Sequence, residues 1–195
     1  PPFWQVIEGY DRHITQVPLT GAGRLDLPAL EAAFAGPERP TAYLLCSPHN
    51  PNGTVHTADE LAAVAALCSA HGVRLVVDEI HAWLVDPGTT FVPVLSLPEA
   101  RDAVVAISAG KAWNLAAFKA GLYVGGEGAL NLLDYLPPLA TQSTGHLGAL
   151  AGLQQQLPFR QFQKPVRQAE ARCRTVEDDA LDSDRSHLRG SAQSG

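Results

Sequence analysis

Three polar segments in this chain each follow an apolar run that is typical of a β-strand. They are Asn50 after residues 43–46, Asp78 after residues 75–77 and Lys111 after residues 104–107. Ligands of open α/β sheets bind just outside the carboxyl ends of the strands. We therefore expect an amide, a carboxylate and an amine to converge on one ligand.

Apolar runs at residues 42–46, 74–77, 104–107 and 122–124 predict strands, and residues 13–19 also have a strand-like pattern. Strands that alternate with helices predict an α/β fold with a mostly parallel, helix-covered sheet. Right-handed crossovers would then bring the three polar segments to the same sheet edge.

Local signals predict three helices. Residues 3–10 are compatible with a short helix, and Asp26 with Pro28 is typical of a helix start. Thr57 and Glu60 form a capping-box pattern ahead of a helix that ends at Gly72. The apolar face of that helix is Leu61, Val64, Ala65 and Cys68.

The converging side chains suit pyridoxal 5′-phosphate (PLP). This cofactor needs a lysine for its aldehyde, a carboxylate facing its pyridine nitrogen and donors for its ring 3-oxygen. Lys111, Asp78 and Asn50 supply these groups in order, and the Ser108 hydroxyl could hold the phosphate. Each residue alone is more often a surface or turn residue, so the prediction depends on their joint order.

Residues 1–151 resemble the fold-type I PLP-dependent enzymes of the class I/II aminotransferase family. The resemblance lies in residues 44–53, 71–81 and 108–115, which contain the motifs SPHNPNG, DEIH and SAGKAWN. Histidine at position 81, where most of these aminotransferases carry tyrosine, favours the cystathionine β-lyase (C–S lyase) branch. The chain would then form the central part of the PLP-binding large domain.

The resemblance implies a role for each site residue. Lys111 would bond to the cofactor and act as the catalytic acid and base, and Asp78 would pair with the pyridinium. Asn50 would hydrogen-bond the 3-oxygen with His81 nearby, and the residues implied at the phosphate are Ser108 and Lys119. It also implies a small amino-acid substrate and a homodimeric full-length protein.

The chain departs from the family pattern in several places. Asn52 replaces a usual threonine, Trp83 replaces a small acidic residue, and Gly110 stands where serine is frequent. The resemblance fades after Ala151, so residues 152–195 are predicted to be a disordered or out-of-frame tail. With no Met, no ring-stacking aromatic and no arginine for a substrate carboxylate, the chain is expected to be a fragment.

The leading functional hypothesis is β-elimination that yields a thiol, pyruvate and ammonia. The first alternative is transamination, and the second is an inactive fragment. The DEIH segment also fits a DExH ATPase, but the phosphate loop which that class needs is missing because Gly110-Lys111 is followed by alanine. We therefore do not favour an ATPase.

Composition limits the partners. The 195 residues carry a formal net charge of −6 and no basic stripe, which argues against nucleic acid. No apolar run approaches the roughly 20 residues of a membrane span, and the start does not resemble a signal peptide. Three dispersed cysteines and seven histidines have no metal-ligand spacing. We expect a cytoplasmic protein without a metal site.

Overall fold

Short cap signals and apolar spacing account for the elements of the fold. The structure, a computed structural model, describes residues 2–10, 12–115, 117 and 119–137. The helices are α1 (Pro2–Gly9), α2 (Leu27–Ala35) and α3 (Ala58–His71). The strands are β1 (Ala42–Cys46), β2 (Arg74–Asp78), β3 (Val104–Ile107) and β4 (Leu122–Gly125). Short 3-10 turns occupy Ala82–Leu84, Val94–Ser96, Pro98–Ala100 and Glu127–Tyr135.

The predicted caps of α2 and α3 are confirmed. Asp26 accepts the Ala29 N–H at 3.0 Å. The Thr57 hydroxyl accepts the Glu60 N–H at 3.2 Å, and the Glu60 carboxylate accepts the Thr57 N–H at 2.8 Å. Gly72 ends α3 at φ 63°, a left-handed conformation that glycine adopts without a Cβ clash. Local polar groups therefore set both ends of α3.

The four strands form one sheet in the order β1-β2-β3-β4. β1, β2 and β3 are parallel, whereas β4 runs antiparallel to β3. The register pairs Cys46 with Asp78 and Asp78 with Ala106. This arrangement confirms the prediction of a mostly parallel α/β sheet.

The core lies between one face of the sheet and the helices α2 and α3. The four predicted apolar residues of α3 are all buried. They belong to one cluster with Phe34 of α2 and with Leu45, Val77 and Val105 of the sheet. Burying a side chain of this size contributes roughly 1.5–3 kcal/mol before entropy costs. The cluster therefore fixes the position of the first three strands.

β4 differs from the other strands because its side chains remain accessible. Leu122 is 65% exposed and Tyr123 is 52% exposed, whereas Val77 in β2 is fully buried. The sheet is therefore well packed from β1 to β3 and open at β4 within the part of the chain that is described.

The strand predicted over residues 13–19 was wrong. This segment has no regular structure, although Val17 and Leu19 pack against the core. Pro18 has no N–H for a ladder, and the alternating pattern does not by itself supply a partner strand. The predicted tail at residues 152–195 and its boundary lie outside the described residues, so they stay predictions. None of the helices in the described residues has the length and apolar character of a membrane span.

Candidate active site

The strand register brings the predicted segments to one edge of the sheet. β1, β2 and β3 all end at this edge, and the ladder continues past them through two backbone bonds. The Ser47 N–H donates to the Asp78 carbonyl at 3.0 Å, and the Glu79 N–H donates to the Ala106 carbonyl at 2.8 Å. Convergence of the polar segments at the carboxyl edge is therefore a property of the fold.

Asn50 lies in a closed turn, residues 49–54, which we call the asparagine turn. The His49 N–H donates to the Thr54 carbonyl and the Gly53 N–H donates to the His49 carbonyl, both at 2.8 Å. The Asn52 side-chain oxygen accepts the Thr54 N–H at 3.1 Å and lies 2.8 Å from His49 Nδ1. Asn52 therefore stabilises the turn, while the Asn50 side chain is exposed and accessible to a ligand.

Asp78 is the last residue of β2 and is 9% exposed. One of its carboxylate oxygens accepts the Ile80 N–H at 3.0 Å, which orients the side chain. A carboxylate has further acceptor positions, so Asp78 can also receive an N–H from a ligand. A mostly buried carboxylate at a sheet edge suits a cationic ring nitrogen.

Glu79, the next residue, has a different task. It is 4% exposed and accepts the Val94 N–H at 2.7 Å. Burial raises the pKa of Glu79, and the hydrogen bond from Val94 partly opposes that rise. Glu79 therefore anchors the segment after β2, a role that its place in the DEIH motif did not reveal.

A cleft of about 520 Å³ lies between the asparagine turn and residues 81–89. Its polar lining residues are His49, Asn50, His81, Asp86 and Thr89. The structure thus places Asn50 and His81 on one cleft, so His81 lies near the residue that is predicted to contact the ring oxygen. The other predicted site residues, Asp78, Ser108, Lys111 and Lys119, do not line this cleft.

Lys111 lies in the connection between β3 and β4, residues 108–120, which we call the lysine loop. The Ser108 hydroxyl donates to the Ala120 carbonyl at 2.7 Å and accepts the Gly110 N–H at 2.9 Å. Ser108 therefore joins the two ends of the loop. Its hydroxyl already donates to the Ala120 carbonyl and is not free to donate to a phosphate. Lys111 and Lys119 are both exposed, although a reactive lysine benefits from partial desolvation.

The lysine loop also contacts the segment that follows Asp78. The rings of Trp83 and Trp113 have centroids 5.7 Å apart at an angle of 52°. These residues stand two positions after His81 and Lys111, respectively. The sequence marked Trp83 as unusual but gave no indication of its contact.

An ion pair behind the asparagine turn was not foreseen either. Arg24 pairs with the Glu60 carboxylate, with Nε at 2.8 Å from Oε1, and donates from Nη1 to the Val55 carbonyl at 3.1 Å. Arg24 and the Thr57 N–H together lower the pKa of Glu60 against the opposing effect of burial. A Cβ on Gly23 would lie 3.2 Å from side-chain atoms of Asn52 and Thr54. Residues 23–24 therefore support the turn from behind.

His56 connects the asparagine turn to α3 and is 1% exposed. Neither ring nitrogen makes a hydrogen bond of normal geometry with the described residues. Burial lowers the pKa of His56, and Glu60 partly opposes this shift. Burial at the base of the turn therefore favours the neutral form of the imidazole.

The family follows from comparison with known proteins. The family model described as "Aminotransferase class I and II" matches residues 1–179. This chain belongs to that family. The match continues past residue 151, where the sequence resemblance was expected to fade, while the division predicted there stays a prediction.

Individual relatives agree with this assignment. The chain is 44% identical over 156 residues to a Mycobacterium tuberculosis protein named "Putative cystathionine beta-lyase", a match that covers 77% of this chain and 38% of that protein. It is 34% identical over 128 residues to cystathionine beta-lyase PatB of Bacillus subtilis, covering 63% and 33%. The chain thus spans less than two fifths of the length of these curated relatives.

A solved structure shows the same fold. Cystalysin from Treponema denticola, whose crystal structure contains a pyridoxal 5′-phosphate cofactor, matches with a TM-score of 0.60 and 25% identity. The match covers 74% of this chain and 40% of cystalysin. The four-stranded sheet and its helices therefore correspond to part of a PLP-dependent enzyme fold.

Proposed function

We propose that this chain provides the cofactor-binding sheet edge of a PLP-dependent C–S β-lyase. The observation that supports the proposal is the strand register, which brings the ends of β1, β2 and β3 to one edge. When bound, PLP supplies an electron sink for the negative charge that remains on an amino-acid Cα after its proton is removed. The names of the lyase relatives favour β-elimination as the outcome.

The described residues fit the polar groups of this cofactor. Asp78, mostly buried and oriented by Ile80, would keep the pyridine nitrogen protonated. Asn50 and His81, on the walls of one cleft, would donate to the 3-oxygen. The exposed Nζ of Lys111 is accessible to the aldehyde. An acceptor, donors and an amine are thus present at one edge of the sheet.

The phosphate would be held by Lys119 and Ser108. Lys119 provides a positive charge at the end of the lysine loop, close to the start of β4. The Ser108 hydroxyl donates a hydrogen bond to the Ala120 carbonyl, so it must break this bond before it can donate to a phosphate. We therefore expect Lys119 to contribute more than Ser108 to phosphate binding.

In the proposed reaction, Lys111 acts as both base and acid. Its Nζ takes the proton from Cα, and the Cβ–S bond then breaks with its electron pair on sulfur. The leaving thiolate gains a proton to become a thiol, and water converts the remaining three-carbon unit to pyruvate and ammonia. Substrates of this kind are cystathionine and other S-conjugates of cysteine.

Covalent labelling tests the proposal. The chain has three lysines, Lys111, Lys119 and Lys164, so adducts can be assigned without ambiguity. We expect PLP followed by borohydride to label mainly Lys111, with loss of that adduct in Lys111→Ala and its retention in Lys164→Ala. Labelling spread evenly over the lysines, or unchanged by Lys111→Ala, would contradict the assignment.

Transamination is the second candidate, because the matching family model is described by its aminotransferases. The two reactions differ in where the proton goes and in what is released. A lyase releases thiol and pyruvate from S-methylcysteine, whereas an aminotransferase yields the 2-oxo acid with sulfur retained. Product analysis with the full-length protein and with this chain separates them, and PLP binding without turnover would identify an inactive fragment.

We also propose that the full-length protein is a cytoplasmic homodimer that acts on a small amino acid. Light scattering of the full-length protein measures its mass directly, and a monomer at micromolar concentration would contradict the dimer.

A further inference from the structure

The lysine loop is shaped by its own backbone. The Trp113 N–H donates to the Ala109 carbonyl at 3.2 Å, and the Leu115 N–H donates to the Gly110 carbonyl at 2.9 Å. These bonds close turns around Lys111 but join residues of the same loop. They define the shape of the loop without fixing its position relative to the strand that carries Asp78.

The segment after β2, unlike the turns around Lys111, is also bonded to a distant part of the chain. Its first turn is closed by the Ala82 N–H on the Glu79 carbonyl at 2.9 Å, and its second by the Leu84 N–H on the His81 carbonyl at 2.9 Å. The buried Glu79 side chain also binds the Val94 N–H. Trp83 therefore projects from a short helix whose position is set by the sheet.

The ring contact joins these two segments. Trp83 is 49% exposed, so about half of its surface is covered, and the Trp113 ring lies 5.7 Å away. Aromatic pairs at such distances and tilted angles are attractive beyond simple burial. Because Trp113 stands two residues after Lys111, fixing the Trp113 ring also restricts the position of the Lys111 backbone.

We propose that Trp83 is a positioning residue that holds the lysine loop beside the Asp78 edge through its contact with Trp113. This inference depends on the proposed function, because it concerns presentation of Lys111 Nζ to the cofactor aldehyde. Holding two reacting groups in one place accelerates bond formation between them. A modest loss of positioning is therefore expected to slow covalent capture at Lys111 and to leave labelling of Lys164 unaffected.

The test compares labelling among the lysines of one chain. PLP and borohydride are applied for a fixed short time to wild type, Trp83→Leu, Trp83→Phe and Leu130→Ala. Lys164 serves as the internal reference, because Lys119 belongs to the lysine loop itself. We expect Trp83→Leu to lower the Lys111 share of the adduct by about three- to tenfold, the range that one aromatic pair supports. Trp83→Phe should retain most of that share because it keeps a ring.

Leu130→Ala is the matched control. Leu130 lies in the 3-10 segment Glu127–Tyr135, outside the cleft, and is 56% exposed, so the substitution removes apolar surface without removing a ring. It should leave the Lys111 share unchanged. Equal effects of Trp83→Leu and Leu130→Ala would overturn the positioning role, because they would indicate a general loss of stability.

A second measurement reports the contact itself. Two indole rings this close couple in circular dichroism, and the exciton signal should disappear in Trp83→Leu but persist in Trp4→Leu. If the signal and the Lys111 share both survive Trp83→Leu, the inference is wrong and the proposed function stands. If wild-type Lys111 is not labelled at all, the proposed function fails first and the positioning role fails with it.

Discussion

The asparagine turn and the lysine loop leave the same sheet edge but are held by different kinds of contact. Behind the asparagine turn lie a charged pair between Arg24 and Glu60, a capping box and the buried His56. The lysine loop is closed by the hydrogen bond from the Ser108 hydroxyl to the Ala120 carbonyl, and its Trp113 ring contacts Trp83. The asparagine turn is therefore anchored to the start of α3, whereas the lysine loop is held by its own backbone and by one ring contact with the segment after β2.

Because the two segments are held differently, substitutions can alter stability and cofactor capture separately. Changes behind the asparagine turn act on folding, because that turn leads directly into α3 and the apolar cluster. Changes in the lysine loop act on exposed residues, and two of them, Asn114 and Lys119, have left-handed backbone conformations. Substitutions behind the asparagine turn should thus lower the stability of the fold, whereas substitutions in the lysine loop should change mainly that loop.

The largest expected difference is between truncating a buried leucine of α3 and truncating an exposed leucine of β4. Leu61 is fully buried in α3, so Leu61→Ala leaves a cavity and should lower the free energy of unfolding by about 2–5 kcal/mol. Leu122→Ala, on β4 where the side chain is 65% exposed, should change it by less than about 0.5 kcal/mol. Urea denaturation of both variants measures the contrast. Similar losses would mean that β4 is covered in solution.

Much of the fold was predictable because its signals are local. The capping box at Thr57, the buried face of α3 and the left-handed Gly72 were all predicted from a few neighbouring residues, and each is confirmed. Strands β1 to β4 were also predicted to within one residue. The strand over residues 13–19 failed because a strand requires a partner, and no local pattern specifies one.

The contacts that support the site were not predictable in the same way. Arg24 and Glu60 are 36 residues apart in the sequence, and the Trp83–Trp113 pair joins two separate connections. The sequence indicated which side chains have suitable chemistry, and the register confirms that their segments share an edge. The roles of Asn50, Asp78 and Lys111 stay predictions until the cofactor is tested.

Removing the cap of α3 should have an intermediate effect. Thr57→Ala loses the hydroxyl that accepts the Glu60 N–H, which typically costs about 1 kcal/mol. Because Glu60 also binds Arg24, the asparagine turn should loosen together with the helix. Hydrogen exchange of the Thr54 and Glu60 amides measures this coupling. Thr90→Ala, at an exposed position, is the control, and equal exchange in both variants would contradict a linked cap and turn.

Acid should weaken the same region through His56. Its folded-state pKa lies below the unfolded value of 6.5, so the unfolded chain binds the extra proton. Stability is therefore complete above about pH 6.5 and is lost as the pH falls towards the folded pKa. Glu60, Arg24 and His49 are the charged and titratable groups that act on the ring, and burial outweighs the attraction of Glu60.

The variant His56→Phe isolates this effect. It keeps an aromatic ring of similar size and removes the titrating group, so stability should fall less steeply between pH 6.5 and pH 5. Thermal unfolding at several pH values measures the slope. The exposed Thr90 supplies the control, because Thr90→Ala removes no titrating group and should retain the wild-type slope. A slope that is unchanged in His56→Phe would mean that other groups determine the acid response.

The smallest expected effect concerns the backbone of the lysine loop. Lys119 has φ 47°, a conformation that costs a residue with a Cβ up to about 1 kcal/mol relative to glycine. Lys119→Gly and Lys119→Ala both remove the charge, so their difference in unfolding free energy reports only the backbone. Glycine should be the more stable by a few tenths to about 1 kcal/mol. The opposite exchange, Gly72→Ala at φ 63°, should cost about the same amount at the end of α3. If the Lys119 difference is absent while Gly72→Ala still destabilises, the lysine loop relaxes in solution to a backbone that does not favour glycine at position 119.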